Sequence, residues 1–499
     1  MGLHPTETSA PDRAASTDAR RHPHWDVRHG FSNFSFLIVG NALSAALSFL
    51  NIWLSTRALG ASGYGGLAAV MAAAQAVLLI AVNWTAISLV RFGTQEFVER
   101  GRLAESFWTR GAVAAATLLA LGVLYPWWSG FLLSRYHLAQ SQSLLLVAFI
   151  GSTAITIQIQ YAMQAAKRPR DTAAMQVVER ALVSAALLAL LWGGSATLTA
   201  VVFAYVGGAV AAALLGVFLL RGLLLPLSVS RSMARRMLQF SVPLVANGIV
   251  GYLSSNFIDA YFLLKYLPVA ALGVYTVGFQ YAGALMQPAT LAGTLLLPFF
   301  VTQLANGRED RIQRYFAHAL PTISVAWSLV CVTAGWIGAT VLPHLLGDQF
   351  REIGRVVWPL VIASAVAGPV LLGLGSLAAA QNVTYRAALA SALAATANVV
   401  LDILWIPRFG MAGSAWATAT AYGSSALVWV LLSRRTCTPL GIVLGIMPAA
   451  VAAIFCGLGM GNGSIFLAAV ATATAVGLTW RSNWAEDWRL MREAWERSA

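Results

Sequence analysis

The chain has 499 residues, of which 58% are hydrophobic and only 10% are charged, and its formal net charge is +13. This number of charged groups is too small to cover the surface of a soluble protein of this length. The apolar excess must therefore face lipid. The spread of the positive charge along the chain indicates membrane topology, and we expect no nucleic-acid partner. The three cysteines are too widely spaced to predict a disulfide or a metal cluster.

The chain opens with a polar segment, residues 1–30, which predicts a disordered cytoplasmic tail rather than a signal peptide, because it has no apolar core. Fourteen apolar segments follow, each long enough to cross about 30 Å of hydrocarbon as a helix. The predicted fold class is therefore all-α and integral to the membrane. The predicted spans are 31–55, 64–88, 108–128, 142–165, 173–192, 196–220, 240–264, 271–300, 317–342, 355–379, 385–405, 411–432, 440–458 and 463–480.

Basic residues alternate between the gaps that separate these spans. Of the 32 Lys and Arg residues, 25 lie in the tails and the even-numbered gaps, six lie in the odd-numbered gaps, and Arg180 lies inside a span. The positive-inside rule then places both termini in the cytoplasm. Three segments are predicted to be amphipathic and to lie at the cytoplasmic interface, where membrane lipids are their partners. They are the gaps near 89–107 and 221–239 and the tail 481–499.

An internal repeat divides the chain into two halves. STRALGASGYGGL, at the end of span 1, aligns with LLKYLPVAALGVY at the end of span 7, so that Arg57 matches Lys265 and Gly65 matches Gly273 at an offset of 208. QAAKRPRDTAAM (164–175) aligns with AAAQNVTYRAAL (378–389) at an offset of 214. Six spans in each half give both halves the same orientation, which predicts an axis along the membrane normal and a cavity between the halves.

These patterns predict the domain organisation. It comprises a disordered tail (1–30), an N-terminal six-helix lobe (31–220), a cytoplasmic linker (221–239), a C-terminal six-helix lobe (240–432), two extra transmembrane helices (433–480) and an amphipathic tail (481–499). Prolines and glycines within the spans of the second half have two interpretations, close helix packing and hinging between inward and outward states.

Ionisable side chains inside spans are functional candidates, because inserting one costs roughly 2.5–3.5 kcal/mol. Four residues qualify: Glu179, Arg180, Asp259 and Asp402. Glu179 and Arg180 point about 100° apart on one helix and do not pair directly. Arg180 either faces a cavity or extends to the cytoplasmic interface. Asp402 is close to the end of its span, and we expect it to be solvated at the interface near Arg408.

A polar stripe accompanies Asp259 on span 7. Asn256 lies three residues before it and Asn247 lies further along the same helix. The stripe either faces a water-filled lumen or forms an interhelical hydrogen-bond network. Asn83 on span 2 and the glutamines of spans 4 and 8 would suit a sugar-bearing ligand, and equally ordinary helix contacts.

The sequence contains no P-loop, no HExxH or GxSxG motif and no paired cysteine ligands. We therefore predict neither an enzyme nor a bound cofactor.

Five segments carry a family resemblance. TRALGASGYGGLAAVMAAAQ (56–75), with AISLVRFGTQEF (86–97), resembles the opening of bacterial polysaccharide and O-antigen flippases of the multidrug/oligosaccharidyl-lipid/polysaccharide superfamily. The segment 240–285 resembles the start of their second half. HLLGDQFREIGRVVWPL (344–360) and WIPRFGMAGSAWATATAYG (405–423) resemble later family segments. The resemblance covers nearly all of 31–435.

The resemblance implies a V-shaped bundle of two lobes with alternating access. It implies export of undecaprenyl-diphosphate-linked oligosaccharides across the bacterial inner membrane, with a polysaccharide polymerase and chain-length machinery as further partners. A cationic cavity would receive the diphosphate and sugars. Asn83 stands where relatives often have an acid, which argues against cation coupling through span 2. The expected cavity residues are Arg57, Asn83, Arg91, Arg180, Asn247, Asn256, Asp259 and Lys265.

Three other functions stay open from the sequence. A multidrug extrusion antiporter would need acids for cation exchange, for which Asp259 is the best candidate. A flippase of the peptidoglycan lipid precursor is compatible with 14 spans. An integral-membrane sugar transferase or polymerase would be expected to carry paired acids on a long periplasmic loop, and the predicted gaps contain none.

Overall fold

The computed structural model describes residues 27–242, 245, 249–250, 253, 256–381, 383, 385–433 and 439–477. These residues form helices and short turns, with no strand among them. The predicted tails at 1–30 and 481–499 lie outside the described residues, except for 27–30, which already belong to the first helix.

Eight helices make up the first half of the chain and the linker. They are α1 (Val27–Ala81), α2 (Ala86–Arg100), α3 (Ala104–Val123), α4 (Tyr125–Arg135), α5 (Ser143–Ala165), α6 (Pro169–Trp192), α7 (Leu198–Leu220) and α8 (Arg231–Ser241).

Ten helices follow in the second half. They are α9 (Asn256–Tyr266), α10 (Val269–Ala305), α11 (Glu309–Arg314), α12 (Leu320–Leu346), α13 (Gly354–Pro369), α14 (Gly375–Ala380), α15 (Tyr385–Phe409), α16 (Met411–Ser433), α17 (Pro439–Gly457) and α18 (Asn462–Gly477). Single π turns, Tyr315–Ala319 and Val370–Leu374, join α11 to α12 and α13 to α14.

The predicted fold class is confirmed. Among the described residues, ten helices are long and apolar enough to cross a membrane, and α17 and α18 are shorter apolar helices. Helix α1 contains two of the predicted spans, because Gly60 has a φ of 65° and interrupts the helix. Only glycine adopts this left-handed conformation at little cost, so the chain reverses at this position. With both halves of α1 and with α9 counted, the bundle has roughly the fourteen predicted crossings.

Each half packs as a lobe. In lobe 1, α1 packs on α6 and α5, while α7 packs on α5 and α6. In lobe 2, α10 packs on α13, α12 on α13, and α16 on both α13 and α15. Helix α17 packs against α12 and α13, on the outside of lobe 2. The shared core is mainly apolar, and a small number of buried polar side chains, among them Asn51 and Asp259, lie within the bundle.

The gaps between spans separate into two ends of the bundle. The loops that precede α3, α6 and α8 meet in one apolar cluster that includes Leu103, Ala166 and Leu224. We call this the basic end, because these three even-numbered, arginine-rich gaps lie there. The break at Gly60, the loop before α10 and the loop before α13 meet at the other end, which we call the opposite end.

The two lobes touch at the opposite end through a symmetric glycine contact. A Cβ atom placed on Gly65 would lie 2.0 Å from the carbonyl oxygen of Val269, and one placed on Gly273 would lie 2.1 Å from the carbonyl oxygen of Ala61. Ala61 and Val269 are themselves 208 residues apart, like the two glycines. Reciprocal contact between equivalent residues is what a two-fold axis produces. The pseudo-two-fold axis therefore passes between Gly65 and Gly273.

Candidate functional site

The structure separates the predicted cavity residues by burial. Arg57, Arg91 and Lys265 are exposed, whereas Asn83 and Arg180 are half-buried. Asn256 begins α9, and only its backbone is described; Asn247 lies outside the described residues.

Asn83 belongs to a short 3₁₀ turn that separates α1 from α2. Span 2 therefore does not run straight through this position. The Arg180 guanidinium donates to the carbonyl oxygen of Ser44 at 3.1 Å, so it contacts backbone inside lobe 1.

Asp259 lies inside lobe 2, where it is 1% exposed. Its Oδ1 accepts a hydrogen bond from the Asn398 amide at 2.8 Å, and its Oδ2 accepts one from the Tyr275 hydroxyl. The Thr418 hydroxyl lies 3.5 Å from the same Oδ2. These contacts correspond to an interhelical network, the second of the two interpretations that the polar stripe allowed. They join α9, α10, α15 and α16.

Asp402 completes this network, which corrects the expectation that it would be solvated at the interface. It is fully buried beside Asp259, whereas Arg408 is exposed. Asn398 and Asp402 are one helical turn apart on α15 and therefore point the same way. The position of Asp402 near the end of its span was misleading, because burial here depends on packing between helices and not on depth along one helix.

The chemistry of this cluster is that of a site for a small cation. Asp402 lies close to Asp259 and to Ser414 of α16, but four buried oxygen atoms here make no hydrogen bond of good geometry within the described part of the chain: both carboxylate oxygens of Asp402, Oδ1 of Asn398 and Oγ of Ser414. Oxygen acceptors without donors suit Na⁺ or a proton shared between two carboxylates. The described residues contain no group of three or more His, Cys, Asp and Glu side chains, the pattern typical of a transition-metal site.

Lobe 1 contains a neutral counterpart of this cluster. Asn51, which is 208 residues before Asp259, accepts a hydrogen bond from the Ser184 hydroxyl at 2.7 Å. Ser184 is 214 residues before Asn398, the donor to Asp259 in lobe 2. The Asn51 amide in turn donates to the carbonyl oxygen of Arg180 at 3.0 Å. The same pair of helix faces thus carries a polar contact in both lobes, with a carboxylate only in lobe 2.

Two charged residues that sequence reasoning did not single out organise the basic end. Arg110 is 1% exposed, and it donates to the carbonyl oxygen of Val82 at 2.9 Å, to Thr85 at 3.2 Å and to the side chain of Gln158. At the break between α1 and α2, the Val82 carbonyl accepts hydrogen bonds from Arg110, from the Thr85 hydroxyl at 3.0 Å and from the Thr85 N–H at 3.3 Å. The arginine had been counted only as part of a basic gap.

Glu96 caps a neighbouring helix from a distance. Its carboxylate accepts hydrogen bonds from the backbone N–H groups of Glu105 at 3.0 Å and Ser106 at 2.8 Å, at the start of α3. The residue before α3, Leu103, provides no side-chain cap of its own. A carboxylate at this position pairs orphan N–H groups and also compensates the positive end of the helix dipole.

Side chains reinforce the contact between the lobes at the opposite end. Gln349 of lobe 2 accepts a hydrogen bond at 2.7 Å from the backbone N–H of Ala61, directly after the Gly60 break. The Trp53 indole donates to the carbonyl oxygen of Leu345 at 3.2 Å, and the Tyr64 hydroxyl donates to Gln280 at 3.3 Å. The structure therefore represents a state in which the lobes are tied together at this end.

Comparison with known proteins supports the same architecture. Residues 31–303, more than half of the chain, match the model of a family described as "Polysaccharide biosynthesis protein". No curated protein sequence matches.

Two solved structures share the fold. A Lipid II flippase MurJ in an inward closed conformation superposes with a TM-score of 0.60 at 12% identity, covering 90% of this chain and 99% of the other. The Vibrio cholerae MATE transporter VcmN in its bent form superposes with a TM-score of 0.51 at 13% identity, covering 83% and 98%.

Proposed function

Because this chain belongs to the family of polysaccharide biosynthesis proteins, we propose that it is a transporter that flips undecaprenyl-diphosphate-linked oligosaccharide repeat units. It moves them from the cytoplasmic to the periplasmic leaflet of a bacterial inner membrane, for assembly of surface polysaccharide, exopolysaccharide or O-antigen. The observation that carries the proposal is the family match. The architecture supports it, since two equivalent lobes are tied at the opposite end and exposed arginines lie at the basic end.

The proposal includes an orientation. The basic end faces the cytoplasm, because the arginine-rich gaps belong on that side of a bacterial membrane. Both termini are then cytoplasmic. The contacts of Gly65 and Gly273 lie at the periplasmic end, which makes the described state one that is closed toward the periplasm.

The energetics of this transport need no ATP. A lipid diphosphate carries roughly two negative charges. When the inside of the membrane is negative, outward movement of negative charge follows the electrical gradient and is favourable by about 2.3 kcal/mol per charge for each 100 mV. The protein has to shield the polar headgroup from hydrocarbon and to change between two states. Exposed cationic side chains such as Arg57, Arg91 and Lys265 are suited to the shielding.

The carboxylate pair in lobe 2 supplies a route for coupling. We infer that Asp259 and Asp402 bind a proton or a monovalent cation whose release accompanies the change of state. Two ionised carboxylates side by side in a buried site repel each other, so one positive charge between them stabilises the packed arrangement of α9, α15 and α16.

The same pair favours a second candidate function, cation-coupled extrusion of small molecules. A buried acid pair in a fold shared with a MATE transporter is the feature that such an antiporter would use. A flippase of the peptidoglycan lipid precursor is a related alternative, since a Lipid II flippase has this fold as well. Neither has the support of the family match.

A gene deletion followed by a leaflet assay tests the proposal. We expect a finished lipid-linked oligosaccharide to accumulate on the cytoplasmic side while surface polysaccharide disappears, and its mass would identify the glycan. A deletion strain with normal polysaccharide and increased sensitivity to dyes and drugs would instead support the second candidate, extrusion of small molecules. Arrested cell-wall synthesis with a trapped peptidoglycan precursor would instead support a flippase of that precursor.

A further inference from the structure

We propose that Arg91 of α2 and Arg236 of the linker helix α8 together bind the diphosphate group of an isoprenoid lipid at the basic end. This inference deepens the proposed function and rests on it. It assigns a ligand-binding role to the linker between the lobes, which the sequence had marked only as an amphipathic interfacial segment.

The two arginines are held by one aromatic pair. Phe92 and Phe240 form an edge-to-face contact with ring centroids 5.8 Å apart. The guanidinium carbon of Arg91 lies 4.5 Å from the Phe240 centroid and 5.6 Å from the Phe92 centroid, and that of Arg236 lies 6.0 Å from the Phe92 centroid. Both guanidinium groups therefore flank the same ring, and the phenylalanines restrict where each can point.

Neither arginine is neutralised by an acid within the described part of the chain. None of the ion pairs between described residues involves Arg91 or Arg236. The acids of α2 are turned to other partners, since Glu96 caps α3 and Glu99 accepts a hydrogen bond from Gln95. Helix α8 contains no acid at all. One N–H of Arg236 donates to Sδ of Met233 at 3.8 Å, and the other donors of the two guanidinium groups are available to an anionic ligand.

Helix α8 is fixed firmly enough to present Arg236. Its Met233 and Met237 are buried, and the helix packs on α2 and α3. The Ser230 hydroxyl caps its N-terminus by accepting from the Met233 N–H, and the Ser230 N–H donates to the Thr109 hydroxyl at 3.0 Å. The exposed arginines of α8 thus lie on the face away from the bundle, and Arg236 approaches Arg91 across the aromatic pair.

The geometry favours a diphosphate over a single carboxylate. The two guanidinium carbons can be no farther apart than the sum of their distances to the Phe92 centroid, a span that a diphosphate with several anionic oxygens can bridge. Arginine binds phosphate oxygens through paired N–H donors, and two arginines can each take one phosphoryl group. The site lies beside the chain segment that leads into lobe 2, so a bound headgroup would contact both the α2 end of lobe 1 and the linker.

The test is a binding titration on the purified full-length protein in a non-ionic detergent, with farnesyl diphosphate as the probe. We expect Arg91→Gln and Arg236→Gln each to weaken binding about tenfold or more, since each removes a charge-assisted pair of hydrogen bonds. The double variant should lose less than the product of the two single losses, because both side chains bind one ligand. Phe240→Leu should weaken binding about threefold by releasing Arg91.

Arg235→Gln is the matched control, because Arg235 is an exposed arginine of the same helix that makes no contact with the aromatic pair. It should bind the probe within twofold of the wild type. Equal losses from Arg235→Gln and Arg236→Gln would overturn the site in favour of unspecific surface charge. Competition by phosphatidylglycerol as effective as that by the diphosphate would overturn it in favour of ordinary lipid headgroups.

The binding experiment tests the arginine site separately from the proposed function, because the two hypotheses can fail independently. If the deletion strain accumulates lipid-linked oligosaccharide but the two Gln variants bind the probe and export glycan normally, only this inference is overturned. If the arginine pair binds the diphosphate while the deletion leaves every polysaccharide unchanged, the binding site is supported and the proposed flipping of oligosaccharides is overturned.

Discussion

Asn51 and Asp259 lie at equivalent places in the two lobes, 208 residues apart, and the Oδ1 atom of each accepts a hydrogen bond from a residue on an equivalent partner helix. The lobes therefore share a helix-to-helix contact whose charge differs. In lobe 1 an amide meets the hydroxyl of Ser184, and the contact is complete without an ion. In lobe 2 the carboxylate of Asp259 is joined by that of Asp402, so stabilisation by the proposed bound cation would be confined to one half of the molecule.

Removing either acid of the buried pair, Asp259 or Asp402, should abolish stabilisation of the protein by cations. We expect Na⁺ or a lower pH to raise the melting temperature of the wild type, because a ligand that binds only the folded state stabilises it by about 2.7 kcal/mol at 100 times its dissociation constant. Asp259→Asn and Asp402→Asn should lose that response. The measurement is thermal unfolding in detergent, with choline replacing Na⁺ at constant ionic strength.

Glu179→Gln controls for the general loss of a carboxylate inside a span, since Glu179 is a half-buried acid of lobe 1 and lies outside the cluster. It should keep the response of the wild type. A wild-type protein that melts at one temperature in every cation and at every pH from 6 to 8 would contradict the cation site.

Enlarging either glycine at the pseudo-two-fold axis should open the opposite end. Gly65→Ala and Gly273→Ala would place a methyl carbon 2.0 Å and 2.1 Å from a carbonyl oxygen, well inside van der Waals contact, so the lobes must separate, at a cost of about 1–3 kcal/mol. Electron–electron distance measurements between spin labels at Ser62 and Asp348 should show a population at longer distance.

Gly283→Ala is the matched control for Gly273→Ala. Gly283 lies on the same helix, α10, and no atom lies near a Cβ placed there. The substitution should leave the distance distribution unchanged. An unaltered distribution in Gly65→Ala and Gly273→Ala as well would show that the lobes do not meet at these glycines in solution.

Loss of the Glu96 carboxylate should destabilise lobe 1. Glu96→Ala leaves two N–H groups at the start of α3 without a partner, which should lower the free energy of unfolding by about 1–3 kcal/mol. Glu96→Gln keeps an acceptor and should cost less. Thermal unfolding measures the change, with the exposed Glu99→Ala variant expected within about 0.5 kcal/mol of the wild type.

Arg110 should be the most sensitive arginine for stability. Arg110→Ala leaves Oε1 of the buried Gln158 side chain without its donor, while the Val82 carbonyl keeps only its contacts with Thr85, at a cost of about 1–3 kcal/mol. Arg110→Lys keeps the charge but loses the forked geometry and should recover only part of the stability. The exposed Arg102→Ala serves as the control in the same unfolding assay, and equal melting temperatures for all three variants would contradict this role.

The sequence was informative about features that repeat along the chain. Continuous apolarity predicted the spans, and the alternation of arginine-rich gaps predicted which loops share an end of the bundle. The offset between Gly65 and Gly273 predicted two lobes with one orientation, and their reciprocal contact agrees with it. Each of these signals is local or periodic, so a single sequence contains it in full.

Features that depend on packing between distant helices were not accessible in this way. The depth of Asp402 follows from α9, α10 and α16 closing around α15, which no property of span 11 reveals. Arg110 was grouped with its basic neighbours, although Gln158 and the break after α1 together provide acceptors for it. A helix break at Asn83 was likewise not indicated, because the turn contains neither glycine nor proline.

The glycine contact between the lobes has a bioenergetic consequence. Where Gly65 and Gly273 meet the facing carbonyl groups, the backbones approach too closely for a water molecule to pass between them. An ion crossing at this point would have to part the lobes first. Under the proposed function, the protein can therefore remain in the membrane in this state without dissipating, through that contact, the electrical potential that would drive the outward movement of an anionic lipid.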